Sequence, residues 1–249
     1  MDDRNLAVII GAQKCGTSTL YEWLKVQPGF SPSTQKELHF FDFQYAKGVD
    51  YYMSQFVLRE GGMLLESSPM YVFHPAVPRR LSETFPGAKL IVILRNPLDR
   101  AWSHYKMNVR RGLEKYDFQT AVRLEIVRIA LSSPDRPESR FQNYSYVLRG
   151  HYAHQLKRWF RYFSRDQFFI AVFEDFFKNP GPGMQALCEF LKTEFRNYNI
   201  LQQAFNVGEG ESISELVRTK FEGIFAREVE RLRNLVTPDF GTFESWRIS

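Results

Sequence analysis

Leu6-Ala-Val-Ile-Ile-Gly-Ala-Gln-Lys-Cys-Gly-Thr-Ser-Thr-Leu20 decides how the rest of this chain is read. An apolar run, a turn bounded by Gly11 and Gly16, and hydroxyl residues opening an amphipathic helix make a strand–loop–helix unit. The first N–H groups of a helix are unpaired and carry partial positive charge, so such a loop suits an anion. Glycine allows the close approach and unusual dihedrals the turn needs. The lysine narrows the reading. A nucleotide-kinase loop places its lysine directly after the second glycine, before Ser or Thr. Here Thr17 follows Gly16, and Lys14 lies two residues before that glycine. The loop is therefore expected to hold a phosphate-like group other than the γ-phosphate of ATP, with Lys14 beside the bridging oxygen of a leaving group. A surface lysine in an ordinary turn is the competing reading. Cys15 sits where a thiol pKa can be lowered, yet no base or resolving partner is near in sequence, and a small residue tolerated by a tight loop explains it as well.

Outward from this unit, strand-like and helix-like segments alternate. Apolar runs at Ala7 to Ile10, Met63 to Glu66, Lys89 to Leu94 and Phe168 to Phe173 read as strands. Helical patterns cover Thr17 to Val26, Leu98 to Arg111, Asp117 to Leu131, Tyr152 to Phe163, Gly183 to Lys192 and Ser214 to Leu235. Turn-bounded apolar runs separated by helices predict an α/β fold, a P-loop-like three-layer sandwich with a mainly parallel central sheet. One domain is expected over residues 1–249. Ser132 to Ser139 reads as a loop. Ligands of such sheets bind beyond the carboxyl ends of the strands, where the Lys14 loop falls.

Composition sets bounds on partners. Apolar residues at 44% and charged residues at 24% are those of a globular chain. Two cysteines, Cys15 and Cys188, give no disulfide framework and, with five histidines, no ligand-spaced metal set. The start, Met-Asp-Asp-Arg, lacks a signal-peptide pattern, and no apolar stretch reaches a membrane span, so a cytoplasmic location is expected. The net charge of +5 suits an anionic ligand. Basic residues are dispersed, which argues against nucleic acid. Arg79-Arg80 and Arg110-Arg111 read either as attraction for an anionic acceptor or as a solvated face; Tyr152 and Trp159 read as core.

A second informative stretch is Leu94-Arg-Asn-Pro-Leu-Asp-Arg-Ala-Trp-Ser-His-Tyr105. Asn96 is a good N-cap and Pro97 suits the first helical position. Arg95 at a strand's carboxyl end and Ser103 two turns into the helix offer a guanidinium and a hydroxyl to a phosphate. A sheet-edge arginine and a packed serine are the plainer reading.

Together these segments resemble sulfotransferases that use 3′-phosphoadenosine-5′-phosphosulfate (PAPS). Gly-Ala-Gln-Lys-Cys-Gly-Thr-Ser-Thr-Leu resembles their 5′-phosphosulfate loop, and Leu-Arg-Asn-Pro with Ser103 their 3′-phosphate motif. The similarity is closer to the heparan sulfate N- and 3-O-sulfating branch and its bacterial relatives. Lys36-Glu-Leu-His-Phe-Phe-Asp42, Lys47-Gly-Val-Asp-Tyr-Tyr-Met53 and Glu66-Ser-Ser-Pro-Met-Tyr71 resemble that branch's Glu-x-His-Phe-Phe-Asp, Lys-Gly-x-x-Trp-Tyr and Glu-Lys-Thr-Pro-x-Tyr segments, in order. By this resemblance Lys14, Cys15, Gly16, Thr17, Ser18 and Thr19 bind the 5′-phosphosulfate, and Arg95 and Ser103 the 3′-phosphate. Glu37 matches the general base, with His39 and Asp42 as active-site neighbours. PAPS is the implied donor, no metal is expected, and the acceptor is a glycan or other small molecule bearing a hydroxyl or amine.

Two departures qualify the acceptor. Ser67 stands where the heparan-type segment has lysine. Their C-terminal disulfide and Lys-Gly-Arg loop are missing, with Arg218-Thr-Lys-Phe-Glu-Gly223 as a partial stand-in, so Arg218 and Lys220 are candidates to reach the donor. A P-loop nucleotide or small-molecule kinase is the alternative enzyme, and a non-catalytic carbohydrate-binding protein of the same fold the alternative of another class. For Glu37, His39 and Asp42 taken singly, a solvated carboxylate, a histidine packed beside Phe40 and Phe41, and a carboxylate that orients a neighbour remain open.

Overall fold

The computed structural model describes residues 5–130, 132–196 and 213–246. Its strands are β1 (Leu6–Gly11), β2 (Phe30–Pro32), β3 (Met63–Ser67), β4 (Lys89–Leu94) and β5 (Phe168–Val172). They form one sheet in the order β2-β3-β1-β4-β5, and each neighbouring pair is parallel. Ile9 sits opposite both Ser67 and Ile91. Every residue of β1 and β5 is buried, the signature of strands covered on both faces, where apolar side chains need not alternate with polar ones. Each fully buried Leu or Ile in such a strand contributes roughly 1.5–3 kcal/mol.

The flanking helices are α1 (Thr17–Lys25), α2 (Val49–Met53), α3 (Val77–Thr84), α4 (Pro97–Arg110), α5 (Phe118–Ile129), α6 (Arg140–Tyr144), α7 (Tyr152–Trp159), α8 (Phe173–Lys178), α9 (Pro180–Leu191), α10 (Glu215–Phe221) and α11 (Ala226–Leu235). Asn96 caps α4, its side chain accepting from the N–H groups of Leu98 and Asp99. Tyr152 and Trp159 are core residues of α7. No helix among the described residues is long and apolar enough to cross a membrane.

Helices α2, α3, α6 and α8 have no counterpart in the sequence reading, and three further features differ from it. Strand β2 escaped it because three residues ending in proline carry no readable period. Phe173 opens α8 rather than closing β5. The single helix expected over Ser214 to Leu235 is two, α10 and α11, broken by a 3₁₀ turn at Glu222–Ile224. Gly223 weakens a helix interior there, and Phe225 is buried where any side chain at Gly150 would collide with its ring at 2.6 Å. Leu131 and the Met1 to Arg4 start lie outside the described residues.

Parallel pairing has one consequence for function. All five strands end at the same edge of the sheet, so the segments holding Lys14, Lys36 to Asp42, Ser68 to Tyr71, Arg95 and Phe173 emerge side by side.

Candidate active site

The loop between β1 and α1 is shaped by its glycines. Gly16 has φ +74°, and a Cβ there would lie 2.4 Å from the Phe177 ring; a Cβ at Gly11 would lie 2.3 Å from Val72 Cγ1. No other residue fits either position without displacing a core side chain. Lys14 is itself left-handed, with φ 71°. Arg95 ties the loop to the end of β4: Nη1 donates to the Lys14 carbonyl at 3.4 Å while its guanidinium lies over the Phe173 ring at 4.8 Å. Beneath, buried Arg149 donates to Gln13 Oε1 at 2.7 Å.

Charge distinguishes this loop from an ordinary turn. Burial, reinforced by the positive charges of Arg110, Arg111 and Arg95, pulls the Lys14 ammonium below the usual lysine range. Its ammonium donates to the weak acceptor Met107 Sδ at 3.9 Å. Three arginines thus act on Lys14 in a loop that opens a helix, and a phosphate-like anion is what such a field accommodates. Within the loop, Thr17 and Thr19 are buried and Ser18 is half-buried. The Cys15 thiol is fully buried, and burial pushes its pKa up to about 11. Its side chain therefore packs in the core, and its N–H bonds the Ala12 carbonyl at 3.2 Å.

The segment after β2 meets this loop. Lys36 Nζ donates to Ser18 Oγ at 2.5 Å and to Glu37 Oε1 at 2.8 Å. Glu37 Oε2 lies 3.4 Å from His39 Nε2, and His39 Nδ1 is 2.7 Å from Asp42 Oδ2. A continuous polar chain thus runs from the loop through Lys36, Glu37 and His39 to the buried Asp42. Partial burial disfavours the His39 imidazolium, but its hydrogen bonds to Asp42 and Glu37 outweigh that and raise its pKa to about 9. At neutral pH it is charged and donates from both ring nitrogens. Burial likewise works against ionised Glu37, yet the hydrogen bond from His39 and the Lys36 charge hold its carboxyl down at about 2.

Backbone strain marks the same residues. Glu37 and His39 have φ of 61° and 51°, a region that costs a side-chain-bearing residue energy and persists only when surroundings enforce it. The enforcement is visible. Glu37 N–H bonds the Ser67 carbonyl at 3.0 Å, and His39 N–H bonds Ser68 Oγ at 3.2 Å. Tyr71 OH accepts from the N–H groups of Phe40 and Phe41 at 2.9 and 3.2 Å. Fully buried Glu66 gathers these props, accepting from Ser68 Oγ at 2.8 Å, Tyr71 OH at 2.7 Å and Tyr52 OH at 2.7 Å. Arg80 adds bonds to the carbonyls of Phe41 and Asp42 at 2.8 and 2.9 Å. It is a brace for the segment after β2, not part of a solvated face; Arg79 pairs with Glu83 on the surface.

The remaining candidates divide. Ser103 is half-buried on α4. Arg218 Nη2 pairs with Asp99 Oδ1 at 2.6 Å, one turn before Ser103 on that helix. Lys220 is engaged elsewhere, donating to Gln119 Oε1 at 2.6 Å on α5. Sequence reasoning gave no role to Lys36, Arg149 or the Glu66 network. The resemblance at Glu66 to Tyr71 was the signal for the last, but not its meaning.

Comparison with known proteins completes the picture. Residues 4–220 match the sulfotransferase domain family. The bovine bifunctional heparan sulfate N-deacetylase/N-sulfotransferase 2 is 33% identical over 204 residues, 77% of this chain but 22% of that protein. Mouse heparan sulfate glucosamine 3-O-sulfotransferase 5 is 32% identical over 209 residues, 82% of this chain and 58% of its own length. The chain thus spans about a fifth of the first relative and under two thirds of the second. A crystal structure of a sulfotransferase from Alicyclobacillus acidocaldarius aligns over 98% of this chain and 99% of its own, with TM-score 0.80 and 29% identity.

Proposed function

The chain belongs to the sulfotransferase family, and from that premise we propose that it moves a sulfuryl group from PAPS to a hydroxyl or amine of an acceptor with sugar character. The observation that carries the reading is a glycine-shaped loop whose Lys14 feels the charges of Arg95, Arg110 and Arg111 and which is joined, through Lys36, to Glu37. An anionic donor and a positioned base are the two things the reaction requires. Similarity to heparan sulfate N- and 3-O-sulfotransferases supports the sugar acceptor.

In this reading the loop N–H groups, Lys14 and the hydroxyls of Thr17, Ser18 and Thr19 hold the 5′-phosphosulfate. Arg95 and Ser103 hold the 3′-phosphate, with Arg218 beside them through Asp99. The donor supplies the transferable sulfuryl group. Glu37 takes the proton of the acceptor O–H or N–H as the acceptor's bond to sulfur forms. The bridging S–O bond breaks, and its electron pair leaves on the 5′-phosphate of 3′-phosphoadenosine-5′-phosphate (PAP), where Lys14 and the loop amides stabilise it. His39, held by Asp42, orients Glu37.

Calorimetric titration tests the donor directly, using PAP, adenosine 5′-phosphosulfate and ATP with Mg²⁺. Binding selective for PAP, with affinity falling about 10- to 100-fold in Arg95→Ala as a charge-assisted phosphate contact is lost, is expected. Preference for ATP–Mg²⁺ contradicts the reading and points to a kinase.

A further inference from the structure

Resting Glu37 is poorly suited to accept a proton. Its carboxylate is bonded to Lys36 at 2.8 Å and faces the His39 ring at 3.4 Å, and two cationic partners stabilise the charged form of a carboxylate at the expense of its basicity. One of those partners is placed to move. The Lys36 ammonium also lies 2.5 Å from Ser18 Oγ in the donor loop, and its side chain is about a quarter exposed, at 25%. The backbone beneath it is fixed, because the Glu37 N–H is bonded to Ser67 O. The side chain can therefore swing between Glu37 and a group seated beside Ser18 with no change in the segment. Ser67, buried at the end of β3, offers no charge of its own to this seam.

We propose that Lys36 is a further catalytic residue that couples donor loading to the general base: it pairs with Glu37 in the resting enzyme and turns to the sulfuryl oxygens once the donor occupies the Ser18 side of the loop. The inference rests on the sulfotransferase reading above. An anionic sulfuryl group competes with the carboxylate for the ammonium. Glu37 then keeps His39 alone and becomes more basic only when there is sulfur to attack. As the acceptor–sulfur bond forms and the bridging S–O bond breaks, the acceptor proton passes to Glu37 and the electron pair departs with PAP. Lys36 meanwhile faces the charge on the transferring group, where a preorganised cation lowers the barrier.

The test compares the full-length wild type with Lys36→Met and Lys36→Arg, by PAP calorimetry and by pH profiles of PAPS-dependent transfer. PAP lacks the sulfuryl group, so Lys36→Met should bind it within about threefold of wild type while kcat falls about 10- to 100-fold, as for loss of an interaction made in the transition state. Lys36→Arg should recover much of kcat. The gating itself has a signature. For the wild type the acidic limb of kcat, which reports the loaded enzyme, should lie at higher pH than that of kcat/KM for the donor, which reports the free enzyme. In Lys36→Met the two limbs should coincide. Wild-type kcat in Lys36→Met, limbs that stay apart in it, or PAP affinity falling in step with kcat would overturn the proposal while leaving the sulfotransferase reading intact. A wild type that binds no PAP overturns both.

Discussion

The loop between β1 and α1 and the segment after β2 reach the same edge of the sheet, but they are held there differently. The loop takes its shape from its own turn, Gly11 to Leu20, with two glycines, a helix N-terminus and a strand end, and Arg95 and Arg149 brace it from outside. The segment after β2 is shaped from a distance. Glu37 and His39 keep left-handed backbones because Ser67, Ser68 and Tyr71, some 30 residues further on, bond their neighbourhood. Glu66 in turn fastens Ser68 and Tyr71. In the proposed reading the donor loop rests mainly on its own turn, and the proton-transfer residues on a buried polar mesh. The two should fail separately.

The largest separation is expected at Glu37. Glu37→Gln keeps the shape and removes the base, so kcat for transfer should fall about 10²- to 10⁴-fold, with PAP affinity by calorimetry close to wild type. Turnover at the wild-type rate would remove Glu37 from its role. A weaker cut is made one layer back. Tyr71→Phe leaves the Phe40 and Phe41 N–H groups without their acceptor and takes a donor from Glu66, which burial already pushes above the usual carboxylate range despite three hydrogen bonds. Denaturant unfolding should show a loss of about 1–3 kcal/mol, the cost of unsatisfied buried polar groups, together with a reduced kcat and unchanged PAP affinity. Equal loss of PAP binding would mean that the two regions are not independent.

The smallest effect is electrostatic. His39 has its folded pKa raised to about 9 from 6.5, so its stabilisation is complete below pH 6.5 and is lost as pH rises through about 9. Glu37 has the opposite sign: its stabilisation is present above 4.5 and is lost as pH falls toward about 2. Thermal unfolding midpoints followed from pH 6.5 to 9 should decline in the wild type and decline less in His39→Gln. Parallel curves would show that the Glu37–His39–Asp42 chain contributes nothing to folding stability in that range.

The same contrast explains what could be read from sequence. The fold class, β4 and the Asn96–Pro97 start of α4 follow from periodicity and capping, which are local properties. The loop was legible for the same reason, down to the displaced lysine. Glu37, His39 and Asp42 were visible only through resemblance, because no spacing rule declares that a left-handed turn will bring a carboxylate against an imidazole. Arg80, Arg149 and Tyr71 act through contacts between segments far apart in sequence, which a charge or aromatic count does not reveal. Cys15 shows the converse: its position in the loop suggested a ligand, whereas the side chain turns inward.

The central claim is that these two regions together transfer a sulfuryl group. The most direct test is incubation of the wild type with PAPS carrying a labelled sulfuryl group and a panel of amino- and hydroxyl-bearing oligosaccharides, with label on the acceptor and released PAP both quantified. The account predicts label on at least one sugar acceptor, matched mole for mole by PAP. Bound PAPS with no label moved across the panel, or PAP released into water with none on an acceptor, would contradict it.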